Sequence, residues 1–216
     1  KMLVKLSNSK FLIPAMAFIV ILATGTGFYL SIKQSQERKK QSAVAQGVFW
    51  PNPKQMNDFS TEDHNGEVFG LDKMKGKWSF LFFGYTNCPD ICPITMSVMA
   101  DAYKELTTEY ESIQTIFVTV DPERDTTNNL SSYVSYFDKN FIGLKANLEN
   151  ESSLIRQIGI AYYHNKQDEK YLVDHPASIF LIDPEMRLLA KLSPPHKSKK
   201  IINQFKEIKR FIDEKN

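Results

Sequence analysis

An α/β domain, built as a central mixed β-sheet flanked by helices and carried on one N-terminal transmembrane helix, is the fold class this sequence predicts. Three observations predict it: an uncharged apolar run near the N-terminus, two continuous apolar runs in mid-chain each followed by a helical pattern, and a closing hairpin and amphipathic helix. The 216 residues, 42% of them apolar, suffice for one domain with a sizeable core. With 24% charged and 12% aromatic residues, wholesale disorder and a multi-span membrane protein are excluded. Two cysteines exclude a disulfide-dense scaffold and any four-thiolate zinc or iron–sulfur site. The formal charge of +2 averages two unlike regions. Residues 1–40 hold seven of the 27 bases and one of the 25 acids, so the remainder stands at −4 and offers no electrostatic footprint for nucleic acid.

Residues 1–10 read as a short tail. Residues 11–32 (FLIPAMAFIVILATGTGFYLSI) run 22 positions without a charge. At about 1.5 Å rise per residue that covers a hydrocarbon core of roughly 30 Å, which predicts a transmembrane anchor. Pro14 falls in its first turn, where a missing N–H matters little. Ala43-Val44-Ala45 resembles a signal-peptide cleavage site, but it lies behind Arg38-Lys39-Lys40 and the apolar run exceeds a signal core, so the anchor is read as uncleaved. Three bases before the run and four after it leave the positive-inside rule without a vote. Residues 33–45 read as a polar linker and residues 46–216 as the domain.

Within the domain, Asp63-His64-Asn65-Gly66 predicts a hairpin turn of type I′. Residues 78–83 (WSFLFF) predict a strand buried on both faces. A helix is expected over residues 93–110, with Ile94, Val98, Ala102, Leu106 and Tyr110 as its apolar stripe. Residues 113–120 (IQTIFVTV) form the next strand. Leu130, Tyr133, Val134 and Phe137 mark a second helix, and Leu154, Ile155, Ile158 and Ala161 a third. Residues 179–182 and 188–192 flank Asp183-Pro184-Glu185-Met186 as a hairpin, and Ile201, Ile202, Phe205, Ile208, Phe211 and Ile212 line a final helix. This order suits a thioredoxin-like architecture.

The chemistry concentrates in FFGYTNCPDICPITM, where Cys88 and Cys92 stand between a buried strand and a helix. In open α/β sheets that is where ligands bind. Pro93 as first helical residue would put Cys92 near the N-cap, and the positive end of a helix favours thiolate over thiol. Two sulfurs four positions apart can close a disulfide or present themselves to one ion, and thiolates prefer soft metals, Cu(I) before Zn(II). The alternative is a pair of small buried hydrophobes, which Pro-flanked cysteines at a strand–helix junction do not favour. Two thiolates leave copper short of a donor. Of four histidines, His64 in the Asn-Gly turn, His164 in the polar segment 164–168 and His196 in Pro194-Pro195-His196-Lys197 read as solvated surface. His175 lies in the short link Asp174-His175-Pro176 before an apolar strand, and in a thioredoxin-like fold that link faces the cysteines. A lone histidine is more often structural than a ligand, so the residues alone leave His175 open.

FGYTNCPDICP, VDPERDT at residues 120–126 and YLVDH at residues 171–175 together resemble the Sco/SenC family of membrane-anchored copper proteins. The resemblance covers essentially the whole domain and implies a thioredoxin fold on one transmembrane helix. It implies Cys88, Cys92 and His175 as copper ligands, Cu(I) preferred and Cu(II) able to bind, and a role in assembling the CuA centre of cytochrome c oxidase, with subunit II as acceptor and other copper chaperones or thiol reductants as partners. Asp121 and Asp125 match family positions near the site, though strand termination and helix capping explain them equally. Asp174 could orient the imidazole, or be an exposed loop residue. Pro176 departs from the small polar residue expected there and could place a cis peptide beside His175. Alanine at His64 or His196 is expected to leave copper binding intact. The rival reading is a thiol–disulfide oxidoreductase that keeps an acceptor's cysteines reduced; such an enzyme has no use for the histidine, and the extra residue over C-x-x-C favours metal. A bacterial cytoplasmic membrane, with the domain in the periplasm, is favoured over the mitochondrial inner membrane facing the intermembrane space.

Overall fold

The structure, a computed structural model, describes residues 9–45, 52–148, 150, 152–165 and 171–214. Most of the tail at residues 1–10, and residues 166–168 of the segment after His164, lie outside them. The chain divides into two compact units, Lys1–Ala45 and Gln46–Asn216.

The described residues of the first unit form one helix, α1 (Ser9–Ala45), 37 residues long. Every side chain from Met16 to Gln36 is exposed, and this stretch is long and apolar enough to cross a membrane. At 1.5 Å per residue α1 reaches about 55 Å, well beyond a hydrocarbon core. The polar linker expected at residues 33–45 is therefore helical. Its Gln, Glu, Arg, Lys and Ala residues are good helix formers with no Gly or Pro among them, a propensity that apolar periodicity does not register.

In the second unit a six-stranded sheet runs β1 (Lys54–Gln55), β10 (Arg187–Leu192), β9 (Ile179–Ile182), β4 (Trp78–Gly84), β5 (Ile113–Thr119), β6 (Ile142–Lys145). β4, β5 and β6 are parallel, while β9, β10 and β1 add antiparallel, so the sheet is mixed as expected. All seven residues of β4 and of β5 are buried, which is why both read as unbroken apolar runs. On one face Trp78, Phe80 and Phe82 pack with Leu130 and Val134 of α3 (Thr127–Phe137), Met96 and Met99 of α2 (Ile91–Leu106) and Phe205 of α5 (Ser198–Asp213). On the other, Leu81 and Phe83 meet Ile155 of the short α4 (Leu154–Ile158), Phe180, and Phe69 of the hairpin β2 (Ser60–Glu62)–β3 (Val68–Gly70). Each fully buried aromatic contributes about 1.5–3 kcal/mol through surface removed from water. A two-residue ribbon, β7 (Tyr163–His164) against β8 (Val173–Asp174), stands apart from the main sheet.

Three local expectations need correction. The hairpin turn has positive φ at Gly66 but not at Asn65, so it is not type I′; Asp63 caps it by accepting from the N–H groups of Asn65 and Glu67. α2 begins at Ile91, two residues before Pro93, which occupies the first turn where no N–H partner is lost. Its buried face is Cys92, Met96, Met99, Ala102 and Leu106, while Ile94 is 55% exposed. Steps of four alone drift around a 3.6-residue helix, and the packed face mixes threes with fours. The cis X-Pro bond found among the described residues is Pro194–Pro195, not the bond before Pro176.

Candidate metal centre

β4 delivers the chain to the site and α2 carries it away. After Gly84 the backbone turns through residues 85–90, with the Cys88 N–H donating to the Tyr85 carbonyl at 3.2 Å. Cys92 is the second residue of α2 and fully buried; Cys88, on the turn before it, is half-buried. Gly84 makes the approach feasible: a Cβ there would lie 2.9 Å from Cys92 Sγ and 2.8 Å from the Phe117 ring. Glycine at the end of a buried strand signals such backbone proximity, and sequence reasoning passed over it.

His175 arrives from a distant stretch, on the link between β8 and β9. Its Nε2 lies 3.4 Å from Cys92 Sγ, and the donor atoms of Cys88, Cys92 and His175 all lie within 4.8 Å of one another. The ring is held edge-on against Phe82 and Tyr85, at centroid distances of 6.2 and 5.9 Å. Nδ1 is 3.3 Å from the Pro176 carbonyl, which can only accept, so Nδ1 carries the hydrogen and Nε2 faces the sulfurs. No disulfide joins the two cysteines. A three-coordinate ion at roughly 2.2 Å from each donor needs donors about 4 Å apart, which this triangle accommodates with small adjustment. Two sulfurs and one imidazole suit a soft, thiophilic ion.

The two sulfurs are electrostatically unequal. Cys88 is held down to about 4 by the hydrogen bond from the Cys92 thiol, against burial, with further help from the backbone N–H groups of Asp90 and Cys92. Cys92 moves the other way, because it keeps the shared proton and is buried. The ion-free pair thus holds one exposed-side thiolate and one buried thiol.

Residues 51–210 match the SCO1/SenC family. The chain belongs to that family. It is 32% identical over 174 residues to an SCO2-like protein of Rickettsia conorii, covering 79% of this chain and 85% of that one. It is also similar to a crystal structure of Arabidopsis thaliana ScoI with copper bound, at 31% identity and TM-score 0.66, over 72% of this chain and 98% of that chain. The solution structure of apo Sco1 from Thermus thermophilus aligns at 32% identity and TM-score 0.67, over 75% and 95%. The thioredoxin-like fold is thereby shared with solved SCO1/SenC domains.

In this SCO1/SenC domain the aspartates act beside the triangle. Asp125, fully buried, accepts from the Thr86 N–H at 3.0 Å, the Thr86 hydroxyl at 2.6 Å and the Thr119 hydroxyl at 2.5 Å, which ties the cysteine turn to the end of β5. Burial pushes its carboxyl up, and the threonine hydrogen bonds oppose that. Asp121 pairs with Arg124 and accepts from the Tyr171 hydroxyl at 2.7 Å. Arg124 also donates to the Tyr171 carbonyl at 2.9 Å and stacks 3.6 Å above its ring. This clamp holds the segment leading to His175, a role for Arg124 and Tyr171 that spacing in sequence did not signal. Asp174 is exposed on β8, and the group beside Nδ1 of His175 is the Pro176 carbonyl.

The other three histidines are not solvated as expected. Each is partly buried against backbone: His64 Nδ1 accepts from the Gly143 N–H at 3.2 Å, His164 Nε2 is 3.0 Å from the Val120 carbonyl, and His196 Nε2 is 2.6 Å from the Ala177 carbonyl. Polar neighbours in sequence conceal such contacts, because their backbone partners are distant along the chain. None of the three joins the triangle of Cys88, Cys92 and His175.

Proposed function

We propose that this chain is a membrane-anchored copper carrier that binds copper through Cys88, Cys92 and His175 and passes it to the CuA site of cytochrome c oxidase subunit II. The observation that carries this reading is the convergence of two sulfurs and one imidazole nitrogen within 4.8 Å, from segments 83 residues apart. The copper-bound ScoI relative supports the identity of the ion, and the family resemblance supplies the acceptor. The anchor is α1, and the domain faces the periplasm of a bacterial cytoplasmic membrane. Two thiolates and a neutral imidazole around Cu(I) carry a net charge of −1 and leave an open face. An acceptor thiolate enters there and takes the ion by ligand exchange. Two-electron oxidation of Cys88 and Cys92 to a disulfide, with a partner disulfide reduced to two thiols, removes both sulfur ligands and releases the ion.

The unequal sulfurs favour a second use of the same site as a thiol reductant, with Cys88 attacking and Cys92 resolving the mixed disulfide. One titration separates the two. Reduced full-length protein in detergent is titrated with Cu(I) against a competing chelator. Cys88→Ser, Cys92→Ser and His175→Ala each weaken binding roughly 100-fold or more, as expected for losing one of three donors. Wild-type affinity in His175→Ala would remove the imidazole from the ligand set and leave thiol exchange as the function.

A further inference from the structure

His196 stands out in its surroundings. Ser193, Pro194, Pro195 and Lys197 are all exposed, yet the imidazole between them is turned inward and half-buried. Its Nε2 lies 2.6 Å from the carbonyl oxygen of Ala177, across 19 residues of chain. That carbonyl belongs to the link between β8 and β9, two residues after His175. The link is outside the strand ladders, since β8 ends at Asp174 and β9 starts at Ile179. Pro176 has no N–H to donate, and its carbonyl is taken up by Nδ1 of His175. A carbonyl can only accept, so Nε2 of His196 carries the hydrogen. His196 itself is firmly mounted. Lys197 opens α5, accepting from the N–H groups of Lys200 and Ile201, and Ile201, Ile202 and Phe205 fasten that helix into the core.

We propose that His196 is a positioning residue for His175: its Nε2–H grips the Ala177 carbonyl and so sets the backbone from which the His175 ring reaches the sulfur pair. The inference rests on His175 being a copper ligand, and it revises the expectation that His196 is indifferent to copper. Glutamine places an amide N–H close to where Nε2 stands, whereas asparagine places it a bond short, at the Nδ1 position. His196→Gln therefore keeps the grip, and His196→Asn and His196→Ala lose it.

The test uses the reduced full chain in detergent. In Cu(I) titrations His196→Ala and His196→Asn bind about three- to tenfold more weakly than wild type, the loss of one neutral hydrogen bond, and His196→Gln binds within about twofold. In a His175→Ala background His196→Ala has no further effect, because the group it positions is gone. Wild-type affinity in His196→Ala, or a loss that persists undiminished without His175, overturns the proposal. A metal-free readout keeps it distinct from the copper reading. Nitrogen NMR of the imidazoles shows His196 as the Nε2–H form, and His196→Ala broadens the His175 ring signals. An Nδ1–H form of His196, or His175 signals unchanged in His196→Ala, sinks the inference whatever copper does; wild-type copper affinity in His175→Ala sinks the ligand assignment instead.

Discussion

Gly84 sits where β4 passes beneath Cys92, and the space for a methyl group there is already filled by the Cys92 sulfur and the Phe117 ring. Phe117 is fully buried and cannot swing away cheaply. Gly84→Ala is expected to lower stability by about 1–3 kcal/mol, the usual range for overpacking, and to weaken copper binding by displacing Cys92. Denaturant midpoints and the Cu(I) titration check both; a variant matching wild type in each would show that the strand–sulfur contact is not constraining. At single positions the sequence was most informative where chemistry is local. Cys88 and Cys92 could be placed at a strand–helix junction because WSFLFF precedes them and a helix follows. Asp125 was ambiguous, since no spacing rule ties it to Thr86, 39 residues away.

The β7–β8 ribbon leads directly into the link that carries His175. It pairs through two residues on each strand, with the Asn165 N–H donating to the Leu172 carbonyl at 3.0 Å beyond the ladder. Its hold on the rest of the domain combines the Arg124 clamp on Tyr171 and Asp121, the His164 contact with the Val120 carbonyl and the buried Val173 side chain. Arg124 grips Tyr171, in the segment leading to His175. Arg124→Ala is expected to speed amide hydrogen exchange at Asn165 and neighbouring ribbon positions about tenfold, with β4 and β5 unchanged. Arg124→Lys restores little, because an ammonium neither stacks nor forks. Wild-type protection of the ribbon in both variants would mean that the clamp is ornamental. The ribbon and β6 went unpredicted: two- to four-residue strands have too few positions to display an alternation.

For the domain as a whole, His196 couples stability to pH. Burial, aided by Lys200, pulls its imidazole below the ordinary 6.5. The unfolded chain therefore takes up a proton first as pH falls, and the contribution present above about 6.5 is lost as pH drops towards the lower folded value. Thermal midpoints from pH 7.5 down to 5 are expected to fall more steeply for wild type than for His196→Gln. Comparing the two isolates this group from Asp125, whose raised carboxyl acts in the opposite sense. Parallel profiles would contradict the assigned burial.

From the residue string alone came the long apolar N-terminal helix, the alternation of buried strands and amphipathic helices, and the paired cysteines between strand and helix. Each is written into consecutive residues as hydrophobicity or period, and nearest-neighbour physics reads it. The string did not reveal that α1 continues through its polar half, that Gly84 clears space for a sulfur, or that His64, His164 and His196 each lean on a backbone group far along the chain. It left His175 open until the resemblance was considered. The folded domain brought that imidazole to 3.4 Å from Cys92, because the meeting depends on β9 pairing beside β4 and on clamps spanning tens of residues. Contacts of that kind carry no local signature; they exist only once the sheet has fixed which distant segments become neighbours.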